Sequence, residues 1–319
     1  MRERLAAFGR TLIIANPEAQ LGAGRKVAER LQHFLSLAWG DGGAFDLVLT
    51  ERPRHAAELA ADTRGYGTVV ALGGDGVIHE VVNGLMRHDP ASRPALAVVP
   101  VGSGNDYALT LGISDFSGDE LSALLSYRPR RMDVGCAELA GPNGGRCEYF
   151  TETLSVGLDA QIAIGTYELR KRTGLTGGAL YTASGLQVFG TGYRSFPMEA
   201  AFDDGPARPL DAYLMAIQIG PTYGSGFRVC PDADPSDGLL DICWAKAPAP
   251  RAVTLPVFLR AKGGRHVSSR IIEMRRAASV ELALAGDGYP IQLDGEQARA
   301  SHVRASVVPG ALTVLAPDA

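Results

Sequence analysis

The sequence predicts two domains: an N-terminal α/β domain with a Rossmann-like parallel sheet, and a C-terminal domain that is mainly an antiparallel β-sandwich. Its 319 residues exceed the ~150 residues of one typical domain. Over roughly the first 130 residues, near-continuous apolar strands alternate with helices, which is typical of a parallel sheet covered on both faces. From residue 133 onward, apolar and polar residues alternate within strands, which indicates antiparallel pairing. We therefore expect domains at 1–132 and 133–306, and a strand within 307–319 that either closes the second domain or returns to the first.

The elements of the first domain follow in order from short patterns. Apolar runs predict strands at 11–15, 45–50, 68–72 and 95–99. Apolar residues at helical spacing predict helices at 27–37, 55–62, 77–86 and 119–126. In the first of these helices, Val27, Leu31, Phe34 and Leu35 form one apolar stripe.

The second domain is predicted from alternating strands and the turns between them. Strands are expected at 149–156, 198–202, 210–219, 239–244, 279–284, 291–293 and 311–315, with helices at 161–171 and 253–261. The turns Asp203-Asp204-Gly205 and Gly286-Asp287-Gly288 each separate two of these strands.

Composition excludes several classes of protein. A formal net charge of -4 provides no positive field to attract nucleic acid, so we expect no nucleic-acid partner. The cysteines Cys136, Cys147, Cys230 and Cys243 form no CxxC pair, so reduced and mostly buried thiols are the simplest interpretation. The sequence contains no run of 18 apolar residues, so no membrane-spanning helix is predicted. The mixed charges at the N-terminus do not resemble a signal peptide. We therefore expect a cytoplasmic protein that can still touch a membrane surface.

Two glycine-rich loops follow predicted strands of the first domain. They are Gly73-Gly74-Asp75-Gly76 and Pro100-Val101-Gly102-Ser103-Gly104-Asn105-Asp106. Ligands of open parallel sheets bind where the strands end, and glycines let backbone N–H groups approach a phosphate. Asp75 would repel a bare phosphate, so it indicates either a bridging Mg²⁺ or a role on an acceptor hydroxyl. Neither loop is a P-loop or a GxGxxG fingerprint, and one such loop alone is most simply a tight turn. Two loops at neighbouring strand ends favour a nucleotide-dependent kinase.

The same residues resemble the diacylglycerol kinase catalytic-domain superfamily, which includes sphingosine and ceramide kinases. The string Gly73-Gly74-Asp75-Gly76-Val77-Ile78-His79-Glu80-Val81-Val82-Asn83-Gly84-Leu85 is similar to that family's nucleotide loop, and 100–108 is similar to its second loop. Further similar motifs occur in the family's order: Asn16-Pro17, Asp133-Val134-Gly135, Ser155-Val156-Gly157-Leu158-Asp159-Ala160, Cys230-Pro231-Asp232-Ala233, Asp237-Gly238-Leu239-Leu240-Asp241 and Asp294-Gly295-Glu296. The resemblance spans essentially the whole chain.

The resemblance implies a lipid kinase with a nucleotide domain, a β-rich lipid-binding domain and an active site in the cleft between them. The implied cofactors are ATP and Mg²⁺. The implied partners are a lipid substrate and the inner face of the membrane, where the protein would act peripherally. It leaves open whether the chain forms a homodimer.

The resemblance also implies roles for individual residues. The nucleotide contacts carried over are Asn16, Thr50, Gly73, Gly74, Asp75, Gly76, Val77, Ile78, His79, Gly102, Ser103 and Asn105. The family's metal-binding turn falls on the Asp237 carboxylate with the backbone carbonyls of Asp234 and Leu239. Asp106 and Asp133 would belong to a surrounding network of water and carboxylates. Glu296 matches the proton acceptor for the lipid hydroxyl, and Asp75 is its rival for that role.

Plainer interpretations stay open for several of these residues. Asp237-Gly238 and Asp294-Gly295 also fit ordinary hairpin turns. His79, one turn into a helix, also fits a packing or capping residue. Val77 stands where most of the diacylglycerol branch carries Thr, so any hydroxyl contact is lost there. The two loop motifs combine residues typical of the sphingosine and ceramide kinase branch with residues typical of bacterial diacylglycerol kinases. The resemblance therefore does not identify the lipid that accepts the phosphate.

Basic residues beside apolar ones mark two segments that suit an anionic membrane surface. Arg170-Lys171-Arg172 lies within the apolar segment 162–193, which we expect to line the lipid entrance. The second segment is the helix at 253–261, flanked by Arg251, Arg260, Lys262 and Arg265. A core-facing helix with solvated charges is the alternative for either segment.

Three functions remain as hypotheses. The first is an ATP-dependent lipid kinase that phosphorylates the primary hydroxyl of a diacylglycerol-like or sphingoid lipid. The second is an NAD kinase, which shares the Gly-Gly-Asp-Gly turn but finds no support in the 102–106 and Asp237 motifs. The third is a lipid- or nucleotide-binding protein that has lost catalysis, against which the intact acidic residues argue: Asp75, Asp106, Asp237 and Glu296.

Overall fold

The structure, a computed structural model, describes residues 8–39, 45–113, 119–141, 144–285 and 289–318. The chain forms two compact units. Unit 1 comprises Met1–Met132 and Gly310–Ala319, and unit 2 comprises Asp133–Pro309. The C-terminal residues therefore belong to the same unit as the N-terminal ones.

Unit 1 alternates strands and helices along the chain. Its strands are β1 (Thr11–Ala15), β2 (Phe45–Leu49), β3 (Thr68–Gly73) and β4 (Ala95–Pro100). Its helices are α1 (Ala19–Trp39), α2 (His55–Ala61), α3 (Asp75–Leu85) and α4 (Asp106–Thr110), followed by a 3₁₀ helix at Asp119–Ser126. The strands pair in the order β2–β1–β3–β4, and each of these pairs is parallel. The prediction of a parallel α/β sheet is confirmed.

Apolar runs explain why strands β1, β3 and β4 of unit 1 are buried on both faces, whereas β2 is partly exposed. Every residue of β1 and β3 is buried, and in β4 only Ala95 is partly exposed. Helix α1 packs with a buried stripe at helical spacing, formed by Ala28, Leu31, Leu35 and Ala38. Helix α3 does the same with Val77, Ile78, Val81, Val82 and Leu85.

Helices α2 and α3 pack closely against each other at Gly84. A Cβ at this position would lie 2.4 Å from the carbonyl oxygen of Ala57 and 2.6 Å from the Cβ of Ala60. The Glu80 carboxylate accepts the N–H groups of Arg54 (2.8 Å) and Ala56 (3.1 Å), which satisfies donors at the start of α2. This contact holds α3 in place, and the first glycine loop leads directly into α3.

Unit 2 consists mainly of antiparallel strands. They are most of β5 (Arg128–Gly141), β6 (Gly144–Phe150), β7 (Thr153–Gly157), β8 (Phe196–Phe202), β9 (Arg208–Gln218), β10 (Leu240–Lys246), β11 (Ile272–Ala277), β12 (Ser279–Leu284), β13 (Ile291–Leu293), β14 (Glu296–Ala298) and the first part of β15 (His302–Ala316). Its helices are α5 (Leu158–Thr173), α6 (Gly177–Thr191) and α7 (Arg251–Ala261), with a 3₁₀ helix at Arg265–Ser268. The end of β15 belongs to unit 1, where Val314 and Leu315 pair in parallel with β4.

Two hydrophobic cores lie on opposite faces of the strands of unit 2. Strand β9 pairs antiparallel with β7, β8 and β10, and β13 continues the sheet beyond β7. The larger core includes Phe150, Leu154, Val156, Met215, Ile217, Ile242, Leu282, Ile291 and Val303. The alternate residues Ala216 and Cys243 point to the other face, where the second core contains Ile162, Tyr181, Phe189 and Ala261 of the helices. The predicted antiparallel sandwich is confirmed.

One predicted strand is wrong as a continuous element. Residues 149–156 form the end of β6 and most of β7, with a break at Thr151 and Glu152. The break has a physical cause, because the N–H groups of both residues donate to the carboxylate of Asp294 instead of to a neighbouring strand.

Several elements were not predicted, among them β5, β11 and α6. Strands β5 and β11 carry exposed arginines, which interrupt the apolar alternation. Helix α6 contains four glycines, which disfavour an isolated helix. Tertiary packing outweighs this preference, since Gly185 closely approaches the ring of Phe258. Of the two predicted turns, 203–205 joins β8 to β9, and 286–288 lies outside the described residues.

Replacing Gly84 by Ala is expected to lower the free energy of unfolding by about 1–3 kcal/mol, because the new methyl group would overlap backbone atoms of α2. Chemical denaturation followed by circular dichroism measures this change. Gly190→Ala is the matched control, since it lies in α6 with no atom within 4 Å of the added Cβ. The control should leave stability unchanged or raise it by up to ~1 kcal/mol. Equal stability of the two variants would contradict close packing at Gly84.

Candidate active site

The candidate nucleotide residues of unit 1 follow the carboxyl ends of its parallel strands. Asn16 follows β1, Thr50 follows β2, and the two glycine loops follow β3 and β4. Backbone bonds continue the strand pairing into these loops: Asn16 N–H donates to Leu72 O at 3.0 Å, and Thr50 N–H donates to Ala15 O at 2.8 Å. Because parallel strands end at one edge of the sheet, the structure brings these loops to that edge.

The edge contains the point where the strand order reverses. From β1 the chain passes to β2 on one side, whereas β3 and β4 lie on the other side of β1. Ligands of open α/β sheets bind at such a crevice. Asn16 and the loop at 73–76 follow the two strands that flank it, and the side-chain oxygen of Asn16 accepts the N–H of Glu18 at 2.9 Å.

The two glycine loops contact each other directly. A Cβ on Gly102 would lie 2.5 Å from the Cα of Gly74 and 2.4 Å from Oδ1 of Asn105. Side-chain Nδ2 of Asn105 donates to the carbonyl of Gly102 at 3.1 Å, and Nε2 of Gln20 donates to the same carbonyl at 2.5 Å. Glycine is therefore required for the two backbones to approach each other. A ligand at these loops meets main-chain groups of the kind that bind phosphate.

The carboxylate of Asp75 joins the two loops. Asp75 lies in the first turn of α3, where the helix dipole favours a negative charge. Its Oδ2 accepts the backbone N–H of Asn105 at 2.9 Å. Asn105 has a φ of 56°, a left-handed conformation that Asn tolerates better than most residues. Asp75 therefore has a structural role in the loops, whatever part it takes in chemistry.

The side chains that follow the first loop point into the packed interior of unit 1. Val77, Ile78 and His79 are all buried. A Cβ at Gly73 would lie 2.7 Å from Cγ2 of Val77, so the valine packs directly on the loop. Contacts of these three residues with a nucleotide would therefore have to come from the backbone at the start of α3. In the second loop Ser103 is partly exposed, whereas Asp106 is buried at the start of α4.

In unit 2, the turn at 234–239 brings together several predicted residues. Oδ1 of Asp237 accepts the N–H of Leu239 at 3.0 Å, and its Oδ2 pairs with the guanidinium of Arg276. Asp133 is buried and its Oδ2 accepts the N–H of Gly238 at 2.7 Å. The structure therefore places Asp133 directly against this turn.

The turn at 234–239 offers carboxylate and backbone carbonyl oxygens, which are the types of ligand that Mg²⁺ prefers. Both carboxylate oxygens of Asp237 are already bonded, so a cation there would compete with Arg276. Burial raises the pKa of nearby Asp241, an effect that Arg276 opposes and the charge of Asp237 reinforces. Within the described ranges, no group of three or more His, Cys, Asp and Glu side chains is arranged to hold a metal ion.

The Asp294-Gly295-Glu296 turn joins β13 to β14. The carboxylate of Asp294 accepts three consecutive N–H groups, those of Thr151 (2.8 Å), Glu152 (3.0 Å) and Thr153 (3.0 Å). Asp294 and Gly295 have φ angles of 47° and 92°, so the turn is held in a left-handed conformation. Glu296 begins β14 with its side chain exposed. The hairpin interpretation and the functional one are therefore compatible, because Asp294 builds the turn and Glu296 stays accessible.

The end of α5, the loop after it and the middle of α6 carry exposed basic and apolar side chains, which we call the basic-apolar patch. It comprises Tyr167, Arg170, Lys171, Arg172, Leu175 and Leu186. Tyr167 is 63% exposed and Leu186 is 50% exposed, although both are large apolar side chains. The ammonium of Lys171 lies 4.1 Å from the ring centroid of Tyr167.

Two residues that shape these sites were missed in the sequence. Gln20 contacts Gly102 across 82 positions, a separation that no local pattern of residues indicates. Arg276 pairs with Asp237 from β11, a strand that was not predicted. Recognising the alternation in 272–277 in spite of its arginines would have suggested a basic residue near the turn.

Comparison with known proteins finds two family models that follow each other along the chain. The family model described as "Diacylglycerol kinase catalytic domain" matches residues 10–137. The one described as "YegS C-terminal NAD kinase beta sandwich-like domain" matches residues 152–316.

Similar proteins cover nearly the whole chain. A "Probable lipid kinase YegS-like" protein of Chromohalobacter salexigens is 30% identical over 312 residues, covering 96% of this chain and 93% of the relative. A protein of Pseudomonas aeruginosa with the same description is 33% identical over 301 residues, covering 94% and 87%. The crystal structure of a diacylglycerol kinase from Bacillus anthracis matches with a TM-score of 0.70 at 19% identity, covering 97% of both chains. A second structure from that bacterium matches with a TM-score of 0.76 at 21% identity. At these identities the solved structures show a shared fold.

Replacing Gly102 by Ala is expected to weaken nucleotide binding by roughly tenfold or more, because the added methyl group would push apart the two loops that touch at Gly74. Isothermal titration with a non-hydrolysable ATP analogue measures the change. Gly263→Ala is the control, because the nearest atom to its added Cβ is 4.0 Å away. An unchanged dissociation constant in a folded Gly102→Ala protein would contradict a binding role for this contact.

Proposed function

The chain belongs to the lipid kinase family that joins a diacylglycerol kinase catalytic domain to a YegS C-terminal domain, and on that premise we propose that it transfers the γ-phosphoryl group of ATP to the primary hydroxyl of a diacylglycerol-like or sphingoid lipid. The observation that carries the proposal is the pair of touching glycine loops at the carboxyl edge of a parallel sheet. The family membership by itself supports the coarser statement, a lipid kinase.

The donor side of the proposal rests on backbone chemistry. The phosphates of ATP carry a high negative charge, which is stabilised by N–H groups and by the positive end of a helix dipole. Helix α3 is 11 residues long and begins directly after Gly74, so its N-terminus lies at the first loop. We assign the phosphates to this loop and to the loop at 102–105. Asn16, Thr50 and Ser103 would add polar contacts from the same edge.

The acceptor side rests on the contrast between two carboxylates. A lipid alcohol is a weak nucleophile, so a base must take its proton as the hydroxyl oxygen attacks phosphorus. Oδ2 of Asp75 already accepts a backbone N–H within the loops, whereas the carboxylate of Glu296 is exposed at the end of a braced turn. This contrast favours Glu296 as the proton acceptor and assigns Asp75 to loop structure.

For the metal, we assign the turn at 234–239. Asp237 would supply a carboxylate oxygen, and Asp234 and Leu239 would supply carbonyl oxygens. When bound there, Mg²⁺ would add positive charge near the acidic residues of the turn. Asp133 holds the turn through Gly238 N–H, and Arg276 would have to leave Asp237.

The two alternative functions differ in the acceptor. The description of the C-terminal family model names an NAD kinase β-sandwich, so NAD is the alternative phosphate acceptor. The relatives reported above are described instead as lipid kinases. A binding protein without catalysis would hold ATP and lipid without transferring phosphate.

A transfer assay with γ-labelled ATP and Mg²⁺ distinguishes these functions when diacylglycerol, sphingosine, ceramide, NAD or no acceptor is supplied. We expect label in a lipid product. Glu296→Gln should lower kcat by roughly 100-fold or more, because it removes the base while keeping the shape of the side chain. The binding constant for ATP should stay the same.

Glu138→Gln is the matched control, because Glu138 is also an exposed glutamate on a strand of unit 2.

Radioactive label in NADP would contradict the lipid kinase proposal and support an NAD kinase. Binding of ATP without transfer to any acceptor would support a binding protein that has lost catalysis. Full activity of Glu296→Gln, together with loss of transfer but unchanged ATP binding in Asp75→Asn, would make Asp75 the base.

We also propose that the protein meets its lipid at an anionic membrane surface through the basic-apolar patch, as a peripheral protein at the inner membrane face. Within the described residues, the helices are too short or too polar to cross a membrane. One exposed tyrosine ring and two exposed leucines, together with three cationic side chains, combine the two forces that bind proteins to anionic bilayers.

Changing Arg170, Lys171 and Arg172 together to Glu is expected to weaken binding to phosphatidylglycerol-containing vesicles by roughly 100-fold, given about 1 kcal/mol for each basic residue near the surface. Co-sedimentation with vesicles of phosphatidylcholine, with and without phosphatidylglycerol, measures this. Arg25, Lys26 and Arg64 changed together to Glu provide a control of equal charge on exposed residues of unit 1. Equal binding by the two triple variants would exclude the patch as the docking surface.

A further inference from the structure

Gln292 is a buried residue of β13 whose side-chain amide is bonded at both ends. The residue has no exposed surface. Its Oε1 accepts the N–H of Gly295 at 2.6 Å, inside the turn that precedes Glu296. Its Nε2 donates to Oγ of Ser155 at 2.8 Å, on the neighbouring strand β7. Gln292 therefore connects the Glu296 turn to the interior of unit 2.

Ser155 lies near a buried carboxyl group, that of Asp159, four residues further along the chain. Oδ2 of Asp159 accepts the hydroxyl of Tyr223 at 2.7 Å, and its Oδ1 accepts the N–H of Ala160 at 2.9 Å. Burial raises the pKa of Asp159 to about 7, and the nearby hydroxyls of Tyr223 and Ser155 oppose that rise. None of these contacts belongs to the roles assigned so far.

The direction of these hydrogen bonds is set by which groups can donate a proton. The backbone N–H of Gly295 can only donate, so it requires the side-chain oxygen of Gln292, and the hydroxyl oxygen of Ser155 has lone pairs that accept from the amide NH₂. The amide must then present its NH₂ group to Ser155 and its oxygen to Gly295. A flipped amide would place NH₂ against the N–H of Gly295, so that two donors would face each other.

The turn needs this support because its backbone conformation is unfavourable. Asp294 has a φ of 47°, which costs free energy for a residue with a side chain, and such conformations persist where their surroundings hold them. The Asp294 carboxylate holds the turn from one side through the N–H groups of 151–153. Gln292 is the second support, and it bonds to the residue immediately before Glu296.

We propose that Gln292 and Ser155 are positioning residues for Glu296: the hydrogen bonds that join Ser155 to the amide of Gln292, and that amide to the N–H of Gly295, set the turn that carries the carboxylate. We call Ser155, Gln292 and the two hydrogen bonds between Ser155 and Gly295 the relay. The proposal rests on the proposed function only in the role given to Glu296. A carboxylate that must meet a reacting hydroxyl within hydrogen-bond distance depends on such supporting residues, because small misplacements are costly to the rate.

Hydrogen exchange of the turn amides tests the relay without requiring turnover. Ser155→Ala and Gln292→Met are expected to speed exchange in peptides that contain Gly295 and Glu296, because each removes a support of that turn. Ser184→Ala is the matched control: Ser184 is also buried in unit 2, and its hydroxyl donates to Ile162 O at 2.7 Å, outside the relay. It should leave exchange at the turn unchanged.

The kinetic readout separates positioning from stability. Ser155→Ala and Gln292→Met should each lower kcat by roughly 10- to 100-fold with little change in KM for ATP, whereas Ser184→Ala should keep kcat within about twofold. The double variant Ser155→Ala/Gln292→Met should lose no more activity than the stronger single variant, because both changes interrupt the same series of bonds. Independent multiplication of the two losses would contradict a shared relay.

The outcomes distinguish failure of the relay from failure of the proposed function. If exchange at the turn is the same in Gln292→Met, Ser155→Ala and Ser184→Ala, the relay is overturned. If exchange responds as expected but Glu296→Gln keeps full activity, the relay stands and the assignment of the base fails. Gln292→Met, which conserves volume, carries the test if Ser155→Ala does not fold.

Discussion

The bonds from three consecutive N–H groups to the carboxylate of Asp294 are the contact on which the turn before Glu296, the proposed proton acceptor, depends. They join residues more than 140 positions apart, and they both interrupt a strand at Thr151 and brace the turn before Glu296. Hydrogen bonds to an ionised carboxylate are stronger than neutral ones, and three of them leave the turn little freedom. Removing the charge would therefore release two elements at once, the start of β7 and the β13–β14 hairpin.

Unit 1 uses the same chemistry in its glycine loops. Asp75 accepts the N–H of Asn105 just as Asp294 accepts those of 151–153, so in each unit one acidic residue of a conspicuous motif holds backbone in place. Exposure distinguishes a carboxylate with a structural role from one that is proposed to react. The side chain of Glu296 is exposed to solvent, whereas Oδ2 of Asp75 is hydrogen-bonded within its loops. An acidic residue in a functional motif is therefore not by itself evidence of catalysis.

The acidic turn of unit 2 illustrates how charge is balanced inside the same unit. Asp237 lies close to Asp241, and the guanidinium of Arg276 contacts both carboxylates. Removing either carboxylate would change the environment of the other, because Asp241 is buried and its pKa already lies above the usual range. A divalent cation and Arg276 are alternative ways to neutralise the charge of these two carboxylates. A cation that binds Asp237 would therefore have to displace the guanidinium of Arg276.

By itself the sequence determined the class of each domain and the positions of the glycine loops. Apolar runs such as 11–15 and 68–72 encode buried parallel strands locally, and a loop that follows a parallel strand can only lie at its carboxyl end. Only the tertiary structure decided which carboxylates are bonded and which are exposed. The bonds of Asp75 to Asn105, Asp294 to Thr151, Arg276 to Asp237 and Gln292 to Ser155 join residues 30 to 143 positions apart. Such bonds depend on the register between distant strands and loops, which no local pattern of residues specifies.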